Sequence, residues 1–227
     1  FWYVKGEIIM PDSGHDKYYI KIYSKQNLLL AWRRIRTARN LPYKNYYRQL
    51  FLAYEVNLES NLNLLQQKLR EHSYSPSKIM RFYKPKHSGL HRPQTFLCID
   101  DLIVYQAFSN LLVTKFSKKL LSLQEEVVFS NLLYKESSRP EFLFKNYRIG
   151  YSKFQKRIRK YFDEGKTWVA HFDLAAYYDT INHSVLCHQA SPKHAYPDFL
   201  NLIFDCLSSW SSSKNNSLAN GIPQGPV

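Results

Sequence analysis

Apolar residues recur along the chain with a period that switches between helical and extended. In NLLLAWRRIRTAR, Asn27 to Arg39, the spacing predicts a helix with Arg on its outer face. A longer helix is expected from about Asn45 to His72, and its later half sets Leu58, Leu62, Leu65 and Leu69 on one core stripe. The period then shortens. Two apolar and aromatic runs, Ile79 to Tyr83 and Thr95 to Ile99, flank a Pro/Gly/His-rich connection, the signature of a β-hairpin. Asp100 or Asp101 is expected to cap a helix through LIVYQAFSNLLVTKF. From Tyr151, YSKFQKRIRKYF is amphipathic: Lys153, Lys156, Arg157 and Lys160 fall on one face, Phe154, Ile158 and Phe162 on the other.

A short strand, Thr167 to Phe172, is expected to lead into HFDLAAYYDTINH. Helices from about Tyr178 to Gln189 and from Tyr196 to about Ser211 follow. A Ser/Lys/Asn-rich loop then delivers NGIPQGPV. Strands and helices mixed without strict βαβ alternation give an α+β fold with a helix-rich N-terminal part. The segment before Asn27 reads as a strand-forming appendage that could pair with another subunit or pack on the rest of the fold, and the sequence does not give its role.

Composition adds a partner class. The 227 residues suit one large domain or two intimately packed ones. Tyr and Phe, 18 and 14 of them, supply more ring surface than such a core needs, and the formal net charge is +14. A basic surface with surplus rings fits a polyanion with stackable faces, namely nucleic acid. A basic protein without such a partner fits the composition equally well. Cys98, Cys187 and Cys206 stand far apart with no C-x-x-C pair, which argues against a zinc site or disulfide framework and for a reducing cytoplasm. No apolar run approaches the roughly 20 residues of a membrane span, so no membrane partner is expected. FWYVKGEIIM also lacks the charged start of a signal peptide.

Two segments carry candidate chemistry. In WVAHFDLAAYYD, a strand ending in Asp173 would place a carboxylate at a sheet edge beside a helix N-terminus. With the backbone carbonyl of Leu174 it could hold a hard cation such as Mg²⁺, which takes one or two carboxylates and completes its shell with phosphates and water. Ala175 and Ala176 leave room for a bulky ligand near the backbone. A capping aspartate explains the same residues. In NGIPQGPV, glycines and a proline present the amide of Gln224 rigidly, although a ligand-free turn accounts for them too.

Taken in order, the segments resemble the reverse transcriptases. HFDLAAYYDTINH looks like the first palm motif of that family, and NGIPQGPV like its G-[IL]-P-Q-G motif. YKPKHSGLHRPQTFLCIDDLIVYQAF is similar to its fingers pattern, and NLLLAWRRIRTARN with the leucine helix and HSYSP to the N-terminal region of bacterial members. Those include group II intron-like and phage-defence or abortive-infection types. The resemblance spans roughly residues 27 to 227.

The resemblance implies a right-hand polymerase. Residues 1–75 would form an N-terminal appendage and helical fingers part, 76–115 the fingers hairpin and following helix, and 116–227 a palm with an incomplete sheet. It implies Mg²⁺-dependent addition of deoxynucleotides to a primer 3′-hydroxyl on an RNA or DNA template. Asp173 would be catalytic and a ligand to both ions, with the Leu174 carbonyl. The backbone at Ala176 and Tyr177, with Tyr178, Lys86, Arg92, Gln224 and Gly225, would bind the nucleotide. Tyr178 matches the ring that excludes a 2′-hydroxyl, and Arg92 with Lys86 or Lys84 the triphosphate clamp. Lys84, Arg81, Lys153, Lys156, Arg157 and Lys160 are expected to touch nucleic-acid phosphates. The plainer readings make Tyr177 a core ring and give Asp179 and His183 structural hydrogen bonds.

The family's third palm motif, an aromatic-x-Asp-Asp turn, does not occur after NGIPQGPV, and no thumb follows. One carboxylate cannot organise two Mg²⁺ ions, so these residues alone are expected to be inactive, with the remaining ligands beyond Val227. A repurposed palm that binds nucleic acid without chemistry is the alternative, as is a template-independent or protein-primed DNA polymerase.

Overall fold

The computed structural model describes residues 16–37, 42–85, 89–134, 140–190, 196–211 and 220–223. Asp16 joins the first described helix to the last. Its Oδ1 accepts the Tyr18 and Tyr19 N–H groups at 3.0 and 2.9 Å, capping α1 (Lys17–Ile22), so the segment read as strand-forming is helical where it is described, and its residues 1–15 lie outside the described residues. Its Oδ2 accepts the Phe199 N–H at 3.0 Å, fixing α1 to the start of α9 (Pro197–Ser211).

Ser24 starts α2 (Lys25–Ile35) by accepting the Asn27 N–H. Leu28, Ala31, Trp32 and Ile35 then fall on one buried stripe. They pack against α5 (Ile99–Leu123), which contributes Leu102, Ile103, Val104, Ala107 and Phe108 to the same core. A buried amide network keys the two helices together. Asn110 Nδ2 donates to Asn27 Oδ1 at 2.9 Å, Asn27 Nδ2 donates to the Ala107 carbonyl at 3.3 Å, and Gln106 Nε2 donates to Asn110 Oδ1 at 3.0 Å. Arg34 joins it, donating to Asn110 Oδ1 at 2.6 Å and to the Pro140 carbonyl at 2.9 Å. The expected outward row of arginines is thus corrected: Arg33 is exposed, Arg34 is drawn inward, and Arg36 pairs with Glu55.

The long helix expected over 45–72 is three pieces, a 3₁₀ turn (Pro42–Tyr47), α3 (Arg48–Val56) and α4 (Leu58–Arg70). Asn57 breaks it at φ −125°, ψ 43°, and the Asn61 amide donates to the Tyr54 carbonyl at 3.0 Å to hold the corner. Leu62, Leu65 and Leu69 are buried as their spacing predicts. Lys44 is a buried cation that no sequence signal marks. It donates to the Ile35 and Thr37 carbonyls at 2.6 and 2.9 Å, closing the end of α2, and burial lowers its pKa to about 8.

The hairpin forms from β1 (Met80–Pro85) and β2 (His91–Phe96), antiparallel with Lys84 opposite Arg92. Its second strand begins earlier than expected, because Leu97 and Ile99 turn into the core and Ile99 opens α5. Neither Asp100 nor Asp101 caps that helix; Cys98 occupies the cap position. Asp100 instead accepts the Tyr54 hydroxyl at 2.8 Å, and Asp101 is buried.

After α5, a turn over 124–128 precedes α6 (Tyr147–Asp163), capped by Asn146. Gly150 lets α6 approach that segment: a Cβ there would stand 1.9 Å from the Phe129 carbonyl oxygen. The chain then runs through residues 166–174 without regular structure into α7 (Tyr177–Thr180), α8 (His183–Ala190) and α9. The result is a helix-rich α+β fold with one core cluster reaching from α1 to α9. Among the described residues, no helix is long and apolar enough to cross a membrane.

Candidate functional site

The segment before Asp173 does not form the expected strand. Trp168 and Phe172 are 96% and 88% exposed, and no described segment pairs with 167–172. A strand needs a neighbour to satisfy its N–H and C=O groups and to cover its side chains, and none stands there. Asp173 therefore sits on an exposed, irregular stretch rather than a sheet edge. Its Oδ1 accepts the Leu174 N–H at 2.9 Å and caps no helix. Ala176, in the left-handed region at φ 50°, is the residue that precedes α7.

Two rings follow. Tyr177 and Tyr178 meet edge to face with centroids 5.5 Å apart, and they are 51% and 42% exposed. Tyr177 is thus a surface ring, not the core ring of the plainer reading. Their backbone holds the second motif. The Tyr178 carbonyl accepts the Ile222 N–H at 2.8 Å, and the Ile181 carbonyl accepts the Gly221 N–H at 2.7 Å. Asn182 Nδ2 donates to Asn220 Oδ1 at 3.1 Å. Gly221 has φ 96°, a backbone that L side chains rarely adopt. The YYDTINH and NGIP segments, some 40 residues apart in sequence, are one hydrogen-bonded junction.

His183 lies at its centre, fully buried. Its Nε2 meets the Gly221 carbonyl at 2.5 Å, and a carbonyl can only accept, so the proton sits on Nε2. Nδ1 is then a buried acceptor without a partner among the described residues. Burial lowers the His183 pKa, and the Gly221 carbonyl pulls weakly the other way. A folded pKa depressed below the unfolded value of about 6.5 means that the neutral ring stabilises the junction above that pH. The contribution is lost as pH falls through the folded value. Amide exchange at Gly221 and Ile222, corrected for intrinsic rates, is therefore expected to quicken below pH 6 in the wild type and not in His183→Gln. Equal acceleration in both would remove His183 as the cause.

The hairpin reaches the same junction. Arg81 Nη2 donates to the Ser211 carbonyl at 3.1 Å, and Ser211 Oγ donates to the Gly221 carbonyl at 2.5 Å. Arg81 thus ties β1 to the end of α9 rather than standing free for phosphate. Lys84 is exposed on β1. Lys86, Gln224 and Gly225 lie outside the described residues, as does the side chain of Arg92, whose backbone belongs to β2.

On α6 the four expected phosphate ligands divide. Lys153 and Lys145 ion-pair with Glu125, and Arg157 donates to the Glu125 carbonyl at 3.0 Å, so Lys153 and Arg157 fasten the helix to the 124–128 turn. Lys160 stands 3.8 Å from Glu164. Lys156 is exposed, with no ion-pair partner among the described residues. The opposite face is open as well, with Phe154, Ile158 and Phe162 all exposed.

As metal donors, Asp173 and the Leu174 carbonyl offer one carboxylate and one carbonyl oxygen, enough for one Mg²⁺ completed by water and phosphate. They fall short of the shared carboxylates that a pair of ions needs. Among the described residues no three His, Cys, Asp or Glu side chains gather around a common point. No protein-family model matches the chain, and no curated protein matches it significantly.

Proposed function

We propose that the chain carries the fingers and first part of the palm of an RNA-directed DNA polymerase of bacterial type, which adds deoxynucleotides to a primer 3′-hydroxyl on an RNA or DNA template. The observation that carries this reading is the junction itself. The NGIP segment is hydrogen-bonded onto the segment that follows Asp173, and the basic hairpin is tied to the same place through Arg81, Ser211 and Gly221. A site that must hold a triphosphate, a sugar and a template base together requires those three elements to converge.

Within it, Asp173 and the Leu174 carbonyl present oxygens to solvent, and Mg²⁺ bound there would supply charge neutralisation of the triphosphate. The donor set suits one ion and not two. The Tyr178 ring, fixed through its own backbone to Ile222, would stand under the incoming sugar and exclude a 2′-hydroxyl. Lys84, with Arg92 and Lys86, would bind the triphosphate. A role in anti-phage defence accords with the sub-family resemblance. The exposed, solitary carboxylate also favours a second reading, a non-catalytic nucleic-acid-binding module on this scaffold.

Primer extension by the full-length protein with Mg²⁺ tests the proposal, supplied with deoxy- or ribonucleotides. The wild type is expected to incorporate deoxynucleotides, and Tyr178→Ala to raise ribonucleotide incorporation at least tenfold with deoxynucleotide incorporation kept within a few-fold. Incorporation without template would move the reading to a template-independent or protein-primed polymerase. Wild-type protein that binds primer–template yet incorporates nothing would establish the binding module instead.

A further inference from the structure

We propose that Lys17, Lys21 and Lys115, with the rings of Tyr18 and Tyr196, form a binding site for single-stranded nucleic acid where α1, α5 and the start of α9 meet. The ammonium groups of Lys17, Lys21 and Lys115 lie 5.9, 5.9 and 5.2 Å from the centre of the Tyr18 ring. Those of Lys17 and Lys115 also lie 5.6 and 5.9 Å from the Tyr196 ring. The two rings meet edge to face at 4.5 Å, and Tyr18 leans on Phe199 at 5.6 Å, so both are anchored while remaining partly exposed.

This cluster is not internally neutralised. Among the described residues, no carboxylate lies within ion-pairing distance of any of the three lysines. The nearby Asp16 carboxylate is occupied by the Tyr18, Tyr19 and Phe199 N–H groups. Asp198 is exposed in the first turn of α9 and pairs with none of them. Ring quadrupoles attract each ammonium by only about 0.5–1 kcal/mol at exposed sites, against mutual repulsion of the three charges. A phosphate entering among them relieves that repulsion, and the partly exposed tyrosine surface beside it accepts a base. Lys115 is held in place by donating to the Ala190 carbonyl, which leaves the exposed Lys17 and Lys21 as the adjustable contacts. Rings anchored against α9 are poorly placed to enter a lipid headgroup layer, which favours nucleic acid over a membrane surface.

The site is distinct from the His183 junction. The 15 residues of α9 separate Tyr196 from Ser211, about 22 Å of helix. That span corresponds to roughly six stacked nucleotides at about 3.4 Å each. Binding at these lysines and rings needs neither nucleotide nor Mg²⁺, and is therefore separable from polymerase chemistry.

The test is anisotropy of a labelled 20-mer oligouridylate with the full-length protein across a salt series. Lys17→Gln/Lys21→Gln is expected to reduce the slope of log affinity against log salt by about 1.4, two phosphates at about 0.7 each. Tyr196→Leu is expected to weaken oligouridylate at least fivefold and to leave inorganic polyphosphate, which has charge but no stacking face, unchanged. Unaltered oligouridylate binding in both folded variants overturns the proposal. So does a loss confined to the lysine variant, which would leave a general anion patch. So, too, does a loss seen with phosphatidylserine vesicles and not with oligouridylate.

Discussion

Asp173→Ala is expected to lower deoxynucleotide incorporation by the full-length protein at least a thousandfold while leaving its melting temperature and RNA affinity unchanged. The separation follows from where the residue sits. Asp173 is exposed, and among the described residues its carboxylate accepts a hydrogen bond from the N–H of its own neighbour Leu174, which water replaces when the side chain is removed. Nothing in the core leans on it, so the variant folds as the wild type does. On the proposed reading its cost falls on the chemistry alone, where a carboxylate that positions a divalent cation against a triphosphate would contribute several kcal/mol; a thousandfold loss corresponds to about 4 kcal/mol. Primer extension, thermal melting and RNA anisotropy on one preparation make the comparison. Undiminished incorporation by Asp173→Ala would remove Asp173 from the active site. A collapsed melting temperature would assign it to structure, contrary to its exposure.

The contrast between Asp173 and its neighbours shows which parts of the molecule were legible. Leu62, Leu65 and Leu69 were readable because helical burial leaves a period of 3.6, and the structure buries all three. The break at Asn57 was not, since it depends on a corner closed by Asn61 against the Tyr54 carbonyl, a contact with no sequence period. The hairpin was readable from its turn residues, but not where β2 ends, because the core's claim on Leu97 and Ile99 decides that. Thr167 to Phe172 carries the residue types of a strand, yet a strand exists only where another pairs with it, and composition cannot supply the partner.

The junction divides in the same way. That His183 would serve a structural hydrogen bond was readable, and the Gly221 carbonyl is its partner. That Arg81, Lys153 and Arg157 would be drawn into ties with Ser211 and Glu125 was not, because a basic residue reads the same whether it faces phosphate or the protein's own carbonyls. The lysines around Tyr18 were invisible for a related reason. Lys17, Lys115 and Tyr196 are far apart along the chain, and only the meeting of α1, α5 and α9 brings them to one pair of rings.

Asp101, expected from sequence to cap a helix, supplies the second large effect. It is 1% exposed and accepts the Tyr74 hydroxyl at 2.5 Å and the Ser77 N–H at 3.0 Å, joining the first turn of α5 to the linker that enters β1. Burial raises the Tyr74 pKa strongly, so that group is a donor at every pH of interest. Asp101→Ala strands both donors at about 1–3 kcal/mol each, less where water reaches Ser77, for an expected loss of about 2–4 kcal/mol. Burial also raises the Asp101 pKa, while the surrounding donors pull it down. A folded pKa above the unfolded value of about 3.9 means that the fold favours the protonated acid. That contribution is complete below the unfolded pKa and is lost as pH rises through the folded one. Asp101→Asn keeps one of the two acceptor oxygens and discards the charge, and the Tyr74 hydroxyl can turn to accept from the new amide, so it is expected to cost less than Asp101→Ala, about 1–2 kcal/mol at pH 7. Its deficit relative to wild type should then widen as pH falls toward 4, where the wild type gains from protonation and the amide cannot. Urea unfolding of the three proteins at pH 7 and pH 4 decides it. An Asn deficit that narrows on acidification would mean that Asp101 is held as a stabilised carboxylate, and an Ala variant as stable as wild type would mean that Tyr74 and Ser77 find other acceptors.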